Sequence, residues 1–140
     1  ICEFGSVEAT ELLKLERFAQ VFHLVSTVEG TLRREVGPLD ALKACFPGGS
    51  ITGAPKQRAR EIIQELEIID RGPYTGAIGC FGFNGESRFN IAIRTAICEA
   101  EKLHFHVGAG IVADSDPEKE WEETLHKAAG ILQACGVPEP

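Results

Sequence analysis

The sequence predicts an α+β fold, with helices packed on an antiparallel sheet, and three observations carry that expectation. Lys56 to Glu67 and Asp116 to Ala134 have the period of amphipathic helices. Between them, Tyr74 to Phe83, Arg88 to Cys98 and Lys102 to Ala113 read as strands in close succession. The order is thus strands, helices, strands, helix, which suits helices segregated on an antiparallel sheet.

Taken in order, Val21 to Val28 is rich in β-branched and aromatic residues, with Val21, His23, Val25 and Thr27 on one face and Phe22, Leu24, Ser26 and Val28 on the other. It is a strand with a histidine in it. Pro38 to Cys45 reads as a short helix with proline in its first turn, and Phe46 to Pro55 is dense in turn residues. From Lys56, the apolar residues Ala59, Ile62, Ile63 and Leu66 recur at i, i+3, i+4 and i+7. Asn84-Gly85 between the first two later strands predicts a type I′ hairpin, which needs positive φ at both residues, and the three strands together predict a meander. Asp116 followed by Pro117 starts the last helix, and Gly136 and Pro138 end it.

At 140 residues and 44% hydrophobic content, the chain has the size of one domain or a large piece of one. Fourteen Lys and Arg against 21 Asp and Glu give a net charge of -7. That balance opposes nucleic acid and anionic membranes as partners, so any anionic ligand needs a local cationic site. Cys2, Cys45, Cys80, Cys98 and Cys135 are odd in number and widely spaced, which fits free thiols in a reducing, cytoplasmic setting. No apolar run reaches the ~20 residues that span a bilayer. With no methionine and Ile1 first, the chain is expected to be a fragment or a processed piece.

Chemistry is concentrated in a few places. On the last helix, Trp121, Leu125, Ala128 and Leu132 form one stripe, and Glu120, Glu123 and Lys127 cluster on another face. Two glutamates at i, i+3 repel by about a few tenths of a kcal/mol, and a divalent cation would turn that repulsion into coordination. A solvated face with one Glu-to-Lys pair accounts for the same spacing. Arg94 alternates onto the face of Asn90, Ala92 and Ala96, opposite a core face of Phe89, Ile91 and Ile93. Its planar fork suits a carboxylate, although a cross-strand ion pair suits it equally. Gly108 and Gly110 weaken the third strand unless a bulge, a close neighbour or a ligand offsets the loss. His23 among valines is either a core histidine or an acid-base group.

Five blocks in order resemble the chorismate-binding family, which includes the anthranilate, aminodeoxychorismate, isochorismate and salicylate synthases. They are "VFHLVSTVEGTL", "FPGGSITGAPKQRAREIIQELE", "YTGAIG", "FNIAIRTA" and "GAGIVADSDPEKEWEETLHKA". The resemblance implies the C-terminal part of a chorismate-binding domain over residues 1–140, its N-terminal half expected upstream, with the isolated chain inactive. It implies that Arg94 and Tyr74 hold the pyruvyl end of chorismate, aided by the backbone of Gly108, Ala109 and Gly110. It makes Glu123 a magnesium ligand, with Glu120 in or beside the metal shell, and puts Lys127 near the ring carboxylate. His23 is then a candidate for proton transfer or orientation, and Ser50 a pocket residue. Mg²⁺ is the implied cofactor, and a glutamine amidotransferase subunit or fused domain is the implied source of ammonia. The blocks "FPGGSITGAPK" and "FNIAIRT" look more like aminodeoxychorismate synthase, the folate-branch enzyme, than anthranilate synthase. A "PIKGT" segment with the nucleophilic lysine of the former would lie upstream of Ile1.

Overall fold

A computed structural model describes residues 1–17 and 22–137. It confirms the α+β class and divides the chain into two units, Ile1–Phe46 and Pro47–Pro140. The strand ladders are all antiparallel. The expected strand residue Val21 and the helix-ending Pro138 lie outside the described residues.

The first unit is built on the hairpin of β1 (Glu8–Arg17) and β2 (Phe22–Glu29), with Glu16 opposite His23 and Leu15 opposite Leu24. Sequence patterning did not find β1. Its Leu, Glu, Lys and Arg residues favour helix locally, and cross-strand pairing overrides that preference. The ladder slips near Leu13, whose φ of 50° accompanies a hydrogen bond from its N–H to Ser26 Oγ at 3.0 Å. Helix α1 (Pro38–Cys45) has the bounds the sequence predicts, with Pro38 in its first turn.

The second unit begins with the short α2 (Gly49–Thr52) and α3 (Lys56–Leu66). The turn-rich stretch thus contains one helical turn, closed by hydrogen bonds from Thr52 N–H and Oγ1 to Gly48 O at 3.1 Å. Strands β3 (Ala77–Phe81) and β4 (Ser87–Ile91) pair from Ala77↔Ile91 to Phe81↔Ser87. Gly79 is needed there because a Cβ would lie 2.0 Å from Arg88 O. The connection is longer than a type I′ turn. Gly82 N–H closes it on Glu86 O at 2.7 Å, and Gly85 has the positive φ, 87°, while Asn84 does not.

The expected meander is instead two separate hairpins. Ala92 gives its carbonyl to Thr75 N–H (2.9 Å) and its N–H to Gly76 O (2.8 Å). Ile93 N–H then turns back to Ile91 O at 2.8 Å, and Arg94 takes a φ of 50°. The second predicted strand is therefore broken, and pairing resumes in β5 (Ala96–Glu99) with β6 (Lys102–Phe105). Neither Tyr74 nor Gly108 to Gly110 is in a strand.

Helix α4 (Pro117–Ala134) starts where predicted. Asp116 accepts from the N–H groups of Glu118 and Lys119, both at 3.1 Å. It ends in a Schellman arrangement, with Gly136 at φ 71°, Gly136 N–H on Gln133 O (3.1 Å) and Val137 N–H on Leu132 O (3.0 Å). Among the described residues, the buried apolar side chains are Ala92, Ala128 and Ile131. Trp121 is 65% exposed, so the stripe read as packed faces outward at that end. Glu120, Thr124 and Lys127 are half-buried along the side that carries Ala128 and Ile131.

Candidate functional site

The turn from Arg71 to Gly76 positions Tyr74. Tyr74 N–H bonds to Arg71 O at 3.0 Å, and the Ala92 peptide ties Thr75 and Gly76 to the end of β4. Thr75 has a φ of 64°, a left-handed conformation rare for a β-branched residue. Its hydroxyl donates to Tyr74 O at 2.5 Å. Arg94 also has positive φ, and its charge acts on the Tyr74 phenol. Alternation places Arg94 in a strand beside Asn90, Ala92 and Ala96, with Phe89, Ile91 and Ile93 as core. Those three are each 37% exposed, whereas Ala92 is 0% exposed. Ala92 alone of its face is covered, its peptide being drawn onto the Tyr74 turn, while Asn90, Arg94 and Ala96 are exposed.

Tyr74, Gly108, Lys127 and Glu123 form a continuous set of contacts. A Cβ on Gly108 would stand 3.0 Å from the Tyr74 hydroxyl, so glycine makes room for the phenol. Lys127 Nζ donates to Gly108 O at 3.0 Å and pairs with Glu123. The third-strand assignment of Gly108 to Gly110 fails because β6 stops at Phe105 and α4 captures the Gly108 carbonyl instead. Among the described residues, the N–H groups of Gly108, Ala109 and Gly110 make no backbone hydrogen bond. The Tyr74 ring stacks on His106, with centroids 5.4 Å apart and planes 18° apart. Burial pushes the Tyr74 phenol above its ordinary pKa, against the opposing pull of Arg71 and Arg94. It stays a neutral O–H donor at physiological pH.

Glu120 occupies the first turn of α4. Its Oε1 accepts from Ser115 Oγ at 2.6 Å, and Ser115 Oγ accepts from Val112 N–H at 3.0 Å. Glu120 Oε2 is buried without a hydrogen-bond partner among the described residues. An orphaned buried carboxylate oxygen suits a hard cation, and Mg²⁺ is commonly held by one or two carboxylates with water and substrate oxygens. Of the two glutamates singled out by the sequence, Glu120 carries that oxygen and Glu123 is paired with Lys127. No group of three or more metal-binding side chains is assembled among the described residues. Ser50 is exposed in α2 and enters none of these contacts, and His23 is half-buried in β2 of the first unit.

Sequence reasoning missed Glu67, Arg71, His106 and Ser115. Arg71 grips Glu67 through Nε (2.7 Å) and Nη2 (2.5 Å), and its guanidinium lies 5.8 Å from the Tyr74 ring centroid. The signal was an acid and a base four residues apart next to "PYTG", which is indistinguishable from an ordinary surface pair. All five cysteines are free, and no helix among the described residues is long and apolar enough to cross a membrane.

Residues 1–133 match the chorismate binding enzyme family, and the chain belongs to it. Among its relatives is an anthranilate synthase component 1 of Haloarcula marismortui, 52% identical over 134 residues. That alignment covers 96% of this chain and 27% of the relative. The Synechocystis sp. anthranilate synthase component 1 is 50% identical, with the same two coverages. The chain therefore spans about a quarter of the length of these curated relatives, 27%. Two solved structures share the fold. Anthranilate synthase component I from Streptococcus pneumoniae superposes with a TM-score of 0.86 at 44% identity, covering 94% of this chain and 30% of that one. DhbC of Bacillus anthracis, described as a 2,3-dihydroxybenzoate-specific isochorismate synthase, gives 0.88 at 32% identity, covering 98% and 36%.

Proposed function

We propose that this chain is the C-terminal part of an anthranilate synthase component I, which converts chorismate and ammonia to anthranilate, pyruvate and water. The observation that carries the site is the contact path from Tyr74 through Gly108 to Lys127 and Glu123. It joins, in three dimensions, residues that the family resemblance singles out along the chain. The choice of product is supported by relatives named anthranilate synthase component 1 at 50–52% identity. They favour this reading over the folate-branch one suggested by "FPGGSITGAPK" and "FNIAIRT".

Chorismate is a dianion, and its two carboxylates need two cationic anchors. Tyr74 and Arg94 would hold the pyruvyl carboxylate, one as a neutral donor and the other as a planar fork. Lys127 has three N–H donors, of which Gly108 O and Glu123 engage two. The third is left for the ring carboxylate. The N–H groups of Gly108, Ala109 and Gly110, which have no backbone partner among the described residues, would add neutral donors. Mg²⁺ held by Glu123 and Glu120 would supply charge neutralisation at the ring carboxylate as the C4 hydroxyl departs. His23 would orient or move a proton, and Ser50 would line the pocket. The ammonia would come from a glutamine amidotransferase subunit or fused domain.

The test is product analysis of the full-length protein with chorismate, Mg²⁺ and ammonium. Anthranilate and pyruvate should appear in equal amounts without any added enzyme. Formation of 4-aminobenzoate, only when an aminodeoxychorismate lyase is added, would instead establish the folate-branch product.

A further inference from the structure

We propose that Arg71 is a positioning residue for Tyr74: clamped by Glu67 just beyond α3, it fixes the phenol against Gly108 so that its hydroxyl meets the substrate carboxylate in one orientation. The proposal rests on the reading of Tyr74 as a substrate contact.

Every nitrogen of the Arg71 guanidinium is engaged. Nε and one terminal nitrogen grip the two Glu67 oxygens at 2.7 and 2.5 Å, and the other terminal nitrogen donates to Thr75 Oγ1 at 3.3 Å. A guanidinium so occupied is a poor anion receptor but a rigid wall, because its planar fork is fixed at three points. That wall lies over the Tyr74 ring at 5.8 Å, within cation–π range. His106 stacks on the same ring.

The backbone is tied by the same residue. Arg71 O accepts from Tyr74 N–H, and its side chain reaches Thr75, on the far side of the tyrosine. Thr75 is held at φ 64°, a conformation that persists only where its surroundings over-determine it. The bond from Arg71 and the bond from Thr75 N–H to Ala92 O supply that determination. Loss of Arg71 would therefore release both the ring and the peptide that aims it. A surface ion pair with no further duty would need neither the third hydrogen bond nor the ring contact.

The test is a double-mutant cycle in the full-length enzyme, read as kcat and KM for chorismate. Arg71→Gln should raise KM on the order of tenfold with little change in kcat. The same substitution should add nothing further in a Tyr74→Phe background. Glu67→Gln, which loosens the clamp and leaves Arg71 charged, should move KM in the same direction. Arg71→Lys should fail to rescue, since an ammonium cannot hold both glutamate oxygens and Thr75. An effect of equal size in both tyrosine backgrounds, an unchanged KM, or full rescue by lysine would overturn the proposal. If the unmutated enzyme does not consume chorismate, the substrate reading falls instead. The Tyr74 Cζ resonance of tyrosine-labelled enzyme without substrate then decides the positioning role. A resonance moved by Arg71→Gln and by Glu67→Gln supports it, and an unmoved one overturns it.

Discussion

Glu67 retains its charge further into acid than an ordinary glutamate, chiefly because Arg71 donates hydrogen bonds to its carboxylate and secondarily because Arg71 and His106 bring positive charge near. Its folded pKa is depressed, so its contribution to stability is fully present above about pH 4.3, the ordinary value. That contribution is lost as the pH falls through the folded value. Comparing urea midpoints of the protein and its Glu67→Gln variant, we expect a constant gap near neutrality that closes in acid. A gap independent of pH would contradict the pairing. Tyr74 has the opposite sign, since burial raises its pKa, and its contribution declines only above about pH 10. At this scale the family blocks mark Tyr74, Arg94, Glu123 and Lys127 as expected site residues, and the fold joins Tyr74, Lys127 and Glu123 through Gly108. It concealed Glu67 and Arg71, because an i,i+4 pair is worth only about 0.2–0.5 kcal/mol on a helix surface and recurs everywhere. What distinguishes this pair is Thr75 and the tyrosine ring, which only the folded turn brings to it.

Helices α1, α3 and α4 and strand β2 were legible almost to the residue, whereas α2, β1 and the course of the later strands were not. Asp116, Pro117 and Gly136 are local signals, and each occupies the cap or terminus it predicts. Asp116→Ala should lower the stability of α4 by about 1 kcal/mol. It should also speed hydrogen exchange at the Glu118 and Lys119 amides, which lose their acceptor; unchanged exchange there would refute the cap. The strands depend on partners distant in sequence. Ala92 leaves the β4 alternation because Thr75 and Gly76 claim its peptide, and nothing near Ala92 announces that. β1 was invisible for the complementary reason, a helix-favouring composition held extended by β2. The glycines of the third predicted strand marked a real departure from regular structure. Its cause, Lys127 reaching Gly108 from α4, comes from another element.

For the chain as a whole, periodicity grouped residues onto shared faces but did not determine which face is covered. On α4 the inward side carries Glu120 and Lys127 with Ala128 and Ile131, and the Trp121 end of the apolar stripe is left outside. With a net charge of -7, cations for any anionic ligand must be gathered locally rather than spread over the surface. The exposed edge has an optical consequence. Trp121 is the only indole in the chain, so all tryptophan emission comes from one turn of α4. Emission from the 140-residue chain should peak close to that of free tryptophan in water and be quenched readily by acrylamide. A blue-shifted, poorly quenched spectrum would mean that the indole is covered. In a longer polypeptide whose other tryptophans are replaced, the colour of this one side chain would report whether anything has come to rest on the outer face of the helix.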